Sequence, residues 1–270
     1  MFNTNMTNRL AGIVAASVLA LASPATAADT QTPANPAVAA PDSANDLVGA
    51  WILVGKPDHI GKAPSAGGRI KLFTGTHWCI TQAEPKSGVV LFHHGGTYSV
   101  SQDTFHANLS FANSSTMNMI GKTNGDFTFK VEGDRLTNIG VDNPWQEVWQ
   151  RLKPRGTIDS PLTKDLTGTW VYVSNLGGPS GTPNPNRMKF CAGGYWCDTE
   201  TDAKTGVVVI HHGGYYSLKG QKYVETCQFA NPTTMDLIGQ DVKFDIKIEG
   251  NTLTLKGLNN PFNEVWKRLD

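Results

Sequence analysis

Two pairs of adjacent histidines, His93-His94 and His211-His212, are the residues of this chain best suited to do chemistry. An imidazole titrates near neutrality, so it can exchange a proton, orient a ligand by hydrogen bonding, or coordinate zinc, copper or iron. Each pair leads through Gly-Gly to an aromatic position, Tyr98 or Tyr216. Neighbouring residues on a strand face opposite sides of the sheet, so one imidazole per pair can look inward. Counting by twos from the tyrosines selects His94 and His212, unless the glycines introduce a bulge that reverses the order. Trp78, Trp196, Tyr98 and Tyr216 are candidates for an aromatic wall beside them. Glu225 shares the parity of Tyr223, Cys227 and Phe229 and is a candidate interior acid, where it would need a partner or be held neutral by desolvation. Its counterpart in the first half of the chain is Ala107. The competing reading makes the histidines satisfied core or surface groups near a turn, and Glu225 an outward side chain in a shifted register. No His-x-His, His-x3-His or Cys/His cluster accompanies these residues, so neither a metal site nor a cofactor is expected.

The elements that position these groups come from a sequence that repeats once. Residues 88–99, from Gly88 through His93-His94-Gly95-Gly96 to Ser99, return at 206–217 as Gly206 through His211-His212-Gly213-Gly214 to Ser217. Phe111-Ala112-Asn113 returns as Phe229-Ala230-Asn231, and Glu147-Val148-Trp149 as Glu264-Val265-Trp266. A unit met twice at an offset of about 118 residues is too long for a solenoid repeat and has the size of a small domain.

Before the repeats, residues 1–27 combine Arg9, a short apolar run and Ala25-Thr26-Ala27, the features of a secretory signal peptide. Residues 28–45, rich in Ala and Pro, are expected to form a mobile tether, and 154–164, with Pro154 and Pro161, a short linker that brings the halves into contact. Repeat 1 then covers 46–153 and repeat 2 covers 165–270. Lys+Arg and Asp+Glu both number 23, so no net field favours nucleic acid or anionic lipid. After the signal peptide no run reaches the roughly 18 apolar residues of a membrane span. Export would take Cys79, Cys191, Cys197 and Cys227 into an oxidising compartment; if a bridge forms it is expected inside the second repeat, where Cys191 and Cys227 have no counterparts in the first, and four buried free thiols are the equal alternative.

Within each repeat the apolar period is two. Phe105, Ala107, Leu109 and Phe111 alternate with polar residues, as do Phe127, Phe129 and Val131 ahead of the Gly133-Asp134 turn. In repeat 1 this gives eight strand candidates at 51–54, 69–73, 77–82, 97–101, 104–111, 126–132, 135–139 and 146–152, with equivalents in repeat 2. Short sequential strands with hairpin turns predict an all-β protein of two tandem eight-stranded up-and-down β-barrels, each wide enough for packed side chains or one small ligand. A two-sheet sandwich is the alternative. The Gly-Pro-rich segments 55–68 and 174–186 would lie over the open ends.

Each repeat opens with Gly-x-Trp, at Trp51 and Trp170, and closes with an Arg in the last strand, Arg151 and Arg268. That pairing resembles the lipocalin and calycin signature. The Gly-Gly-Thr-Tyr-Ser block with the terminal Glu-Val-Trp-x-Arg is similar to bacterial secreted lipocalin-like domains of uncharacterised function. The resemblance implies that Trp51 and Trp170 plug one end of a barrel beneath Arg151 and Arg268, a structural role. The His-His step departs from that pattern. The leading functional expectation is a periplasmic or secreted protein that holds a small, largely apolar molecule in one or both barrels. A barrel enzyme using His, Tyr and Glu is the second reading, although no nucleophile motif or phosphate loop supports it. A non-catalytic envelope protein with filled barrels is the third.

Overall fold

Alternation of inward and outward side chains closes each repeat into a cylinder. The computed structural model describes residues 42–61, 68–121, 123–177 and 183–269. In the first repeat β1 (Gly49–Lys56), β2 (His59–Ile60), β3 (Arg69–Phe73), β4 (His77–Ala83), β5 (Val90–Ser101), β6 (Thr104–Ala112), β7 (Thr123–Glu132), β8 (Arg135–Val141) and β9 (Gln146–Arg151) follow in order. Apart from β2, a two-residue return on the end of β1, each strand pairs antiparallel with the next, and β9 returns to β1. The second repeat does the same with β11 (Gly168–Asn175), β12 (Asn184–Ala192), β13 (Tyr195–Thr201), β14 (Val208–Lys219), β15 (Lys222–Ala230), β16 (Asp241–Glu249), β17 (Thr252–Gly257) and β18 (Asn263–Arg268), with β18 closing on β11. The protein is therefore all-β, two closed eight-stranded up-and-down barrels, and not a sandwich. Between them β10 (Ile158–Asp159), from the connector, adds parallel to β14, so the connector is part of the fold. Among the described residues no helix is long and apolar enough to cross a membrane.

The base of each barrel is sealed as the Trp and Arg positions predict. Short helices α1 (Asp42–Leu47) and α2 (Thr163–Leu166) precede the first strands, and their last carbonyls have no partner within the helix. Trp51 Nε1 donates to Leu47 O at 2.8 Å and Trp170 Nε1 to Leu166 O at 3.0 Å. Arg151 stacks 4.0 Å over Trp51 and donates to Val48 O and Asp46 O at 2.8 and 2.7 Å. Arg268 lies 4.2 Å over Trp170 and donates to Thr167 O and Asp165 O. A cation on helix carbonyls and an indole face is favoured twice over. Helix α1 takes up residues 42–45 that composition assigned to the tether; residues 1–41, with the proposed signal peptide, lie outside the described residues.

One strand is longer than the alternation suggests. β5 begins at Val90 rather than at residue 97, carrying both histidines and both glycines in the strand. Its early half shows no clean alternation because Phe92 and His94 line the barrel, His93 faces a buried seam between the barrels with Val90, and the apolar Leu91 is exposed. The seam is built by Leu72, Cys79, Val90 and Phe111 of the first barrel against Phe190, Cys197, Val208 and Phe229 of the second. It is close to a two-fold exchange: Ala112 N donates to Gly206 O at 3.2 Å, and Ala230 N to Gly88 O at 3.1 Å. Phe111 and Phe229 reach it through a bulge. Opposite Gly95-Gly96 the partner strand skips Ser110, and opposite Gly213-Gly214 it skips Gln228. This corrects the expectation that Phe111 and Phe229 face the barrel interior with Leu109 and Cys227. A Cβ at Gly96 would run into the Asn108 carbonyl, so the close approach at the bulge requires glycine.

At the centre of the seam His93 and His211 stack with ring centroids 3.4 Å apart and planes 10° from parallel. Each Nδ1 lies against a carbonyl, Ile80 O at 3.0 Å for His93 and Asp198 O at 3.2 Å for His211. A carbonyl can only accept, so Nδ1 carries the proton. Each Nε2 then accepts across the seam, His93 from Thr199 Oγ1 and His211 from Thr81 Oγ1, both at 3.0 Å. Beside them the Cys79 and Cys197 thiols meet at 3.5 Å. All four cysteines are free and buried, the alternative to a bridge within the second repeat, and the two that face one another come from different repeats.

Candidate functional site

The two barrels have the same walls and different fillings. On β3 the inward residues are Arg69, Lys71 and Phe73; on β4 they are Trp78, Ile80 and Gln82; on β9 they are Glu147 and Trp149. Their counterparts in the second barrel are Arg187, Lys189 and Cys191, then Trp196, Asp198 and Glu200, then Glu264 and Trp266. The Glu-Val-Trp motif is explained by this geometry. Residues two apart on a strand share a face, and the indole donates to the carboxylate, Trp149 Nε1 to Glu147 Oε2 at 3.0 Å and Trp266 Nε1 to Glu264 Oε2 at 3.1 Å.

The first barrel contains a cavity of about 430 Å³. Its wall is aromatic and aliphatic, with Trp78, Ile80, Phe92, Phe105, Leu109, Phe127 and Trp145; its charged and imidazole groups are Arg69, Lys71, His94 and Glu147, with the exposed Lys56 and Gln146 and the half-buried Thr116 also lining it. Lys71 Nζ donates to Glu147 Oε2 at 3.2 Å and lies 4.2 Å from the Trp149 ring. Arg69 sits 3.9 Å from Glu147 Oε1, donates to Gln82 Oε1, and covers the Phe92 ring at 4.7 Å. Burial lowers the pKa of the Lys71 ammonium, and Glu147 makes up only part of that cost. Burial also opposes ionisation of Glu147, but Lys71, Trp149 and Arg69 outweigh it and hold the carboxyl below its ordinary value. His94 stacks on Phe92 at 5.4 Å and meets the edge of Trp78 at 5.7 Å. Burial, then Lys71 and Arg69, push its pKa down to about 4, so it is a neutral imidazole at physiological pH. Its buried Nδ1 has no hydrogen-bond partner among the described residues.

The second barrel fills the same space with its own side chains. Lys189 Nζ pairs with Glu225 Oε1 at 2.7 Å, and Tyr223 OH donates to the same oxygen at 3.0 Å. Arg187 bridges Asp198 Oδ2 at 2.8 Å and Glu264 Oε1 at 3.2 Å and lies over the rings of Tyr172 and Trp266. Burial works against the Lys189 ammonium, but Glu225, Glu264 and Asp198 overcome it and raise its pKa, the reverse of Lys71. Burial raises the pKa of the Glu225 carboxyl even so. Glu225 therefore faces inward with the partner that burial demands.

The residues singled out from sequence separate accordingly. Trp78 and His94 line the cavity, whereas Tyr98 turns its hydroxyl to Thr74 O at 2.6 Å and packs on Phe73. Trp196, His212, Tyr216 and Glu225 lie together in the packed interior of the second barrel, where Tyr216 OH is buried and has no hydrogen-bond partner among the described residues. The parity count for the histidines holds because the Gly-Gly bulge falls on β6 and β15 and the irregularities of β5 and β14 lie earlier, at Leu91 and Val209, leaving the alternation from His94 to Tyr98 and from His212 to Tyr216 intact. Sequence reasoning missed the buried cations and, apart from Glu225, their carboxylates. The signal was present: Arg-x-Lys occurs at Arg69 and Lys71 and again at Arg187 and Lys189, two charges on one strand face retained in both repeats. Segments 62–67 and 178–182, within the stretches expected over the open ends, lie outside the described residues; Asn184 onward belongs to β12.

Among the described residues no group of three His, Cys, Asp or Glu is placed to hold a metal ion. No family model matches the sequence, and no curated protein matches it.

Proposed function

We propose that this chain is an exported, lipocalin-like binding protein whose first barrel holds a small, largely apolar molecule. The observation that carries this reading is the 430 Å³ cavity of the first barrel, with its aromatic wall and few convergent polar groups. That combination, at a volume within the roughly 300–1,000 Å³ of small-molecule sites, suits a ligand held by area and oriented by a handful of contacts. The second barrel, plugged by its own ion pairs and tyrosines, takes the part of a scaffold. Export rests on the signal-peptide features of residues 1–27, and the lipocalin-like assignment on the Trp-Arg seal repeated at both bases.

Native mass spectrometry of the chain purified from its own host tests the reading. One co-purifying small molecule per chain, lost when Ile80→Trp fills the cavity, is the expected result. A ligand retained by that variant would place binding elsewhere and overturn the assignment to the first barrel.

A further inference from the structure

We infer that the ligand of the first barrel is a small organic monocarboxylate with an aromatic or cyclic body, its carboxylate seated against Lys71 where the Glu225 side chain sits in the second barrel. This inference rests on the first barrel being the binding compartment, and it adds the chemical class of what is bound.

The two barrels serve as each other's comparison. Lys71 pairs across the sheet with Trp51 and Ile80, and Lys189 with Trp170 and Asp198, so the two lysines are one position. Ala107 is opposite Tyr98 and Glu225 opposite Tyr216, so these are one position as well. In the second barrel the lysine is met there by a carboxylate at 2.7 Å, itself hydrogen-bonded by Tyr223. In the first barrel both polar partners are gone, with Ala107 for Glu225 and Phe105 for Tyr223, while the lysine remains. Lys71 and Ala107 both border the cavity, so the space vacated by the shorter side chain is continuous with it.

Charge points the same way. The second barrel sets Arg187 and Lys189 against Asp198, Glu225 and Glu264. The first sets Arg69 and Lys71 against Glu147 alone, because Ile80 replaces Asp198 and Ala107 replaces Glu225. His94 is neutral, and Lys56 at the rim adds a further positive charge. A buried charge in excess of its partners is costly, and one anion balances this interior. Five flat rings, Trp78, Phe92, Phe105, Phe127 and Trp145, form much of the remaining wall beside aliphatic residues such as Leu53 and Leu109, and suit a ring or compact hydrocarbon body.

The test compares two probes that share a ring system and differ in charge, 2-naphthoate and 2-naphthalenemethanol, titrated into the full mature chain and into two variants. Lys71→Met keeps the volume of the lysine and removes its charge. Ala107→Glu supplies the second barrel's carboxylate internally. The wild type should bind naphthoate at least tenfold more tightly than the alcohol. Lys71→Met should bring the two within about twofold, and Ala107→Glu should weaken naphthoate at least tenfold while far-UV and near-UV circular dichroism stay those of the wild type. Equal binding of the two probes by the wild type, with both lost in Ala107→Glu, would overturn the carboxylate assignment and leave the binding compartment standing. Failure of the wild type to bind either probe, or binding unaffected by Ala107→Glu, would overturn the compartment and the inference with it.

Discussion

Acidification should loosen the seam between the barrels, and the stacked histidines at its centre set the size of the effect. His93 and His211 are fully buried, and burial depresses both imidazoles, His211 to about 3 and His93 well below the ordinary value of 6.5. The neutral form is the one the hydrogen bonds require, since each Nε2 accepts from a threonine of the other barrel. A histidine whose folded pKa lies below its unfolded one contributes stability that is complete above pH 6.5 and is lost as the pH falls toward the folded value, because only the unfolded chain takes up the proton. At about pH 5 the unfolded chain gains roughly 2 kcal/mol per imidazole, so the pair removes about 4 kcal/mol from a domain stability of order 5–15 kcal/mol. Urea unfolding across about pH 7 to 5 should show this loss. The double variant His93→Gln with His211→Gln should lose about 4 kcal/mol less than the wild type over that range, an average of about 2 kcal/mol per pH unit, whatever its stability at neutral pH. Burial raises the Glu225 and Glu200 carboxyls, which act in the opposite direction but are common to both proteins and cancel in the comparison. A wild-type stability flat over this range, or nitrogen NMR shifts placing either ring's titration near 6.5, would refute the reasoning.

Four further outcomes follow from the packing. Gly96→Ala should cost about 3 kcal/mol or more, because its Cβ meets backbone at the bulge. Gly250→Ala, at φ +55° in open space, should cost only about 1–2 kcal/mol by chemical denaturation. Glu225→Ala leaves Lys189 buried without its nearest carboxylate and should lower stability by about 3–5 kcal/mol, measured the same way. The four thiols should react with a disulfide reagent only on unfolding, since all are buried and burial raises the Cys191 and Cys227 thiols to about 12 and 11; stoichiometric labelling of Cys79 or Cys197 in the native protein would contradict the seam.

The barrels were legible from sequence where one face of a strand meets water, because only there do apolar and polar residues alternate. β6 up to Leu109 is such a strand. The first half of β5 is not, because His93 faces the seam while Phe92 and His94 face the barrel, and the pattern dissolves where both faces are buried. The bulge that turns Phe111 outward depends on a Gly-Gly on the neighbouring strand, a contact that a one-strand parity count does not contain. The interior charges escaped for a related reason. Arg69, Lys71 and Glu147 look like an ordinary solvated face until closure of the sheet places them opposite one another. The approach of Cys79 to Cys197 was not legible, because a sequence does not show that equivalent positions of two repeats meet across an axis.

The exchange of Gly88 with Ala230 and Gly206 with Ala112 means that each half presents a surface complementary to its own twin. Cutting the chain at the connector would therefore not yield two independent monomers. Each fragment would bare the patch around its buried histidine and should re-form the contact with a second copy of itself, so that what now comes as one polypeptide would return as a pair of homodimers, one carrying two aromatic cavities and the other two buried Lys-Glu-Tyr clusters.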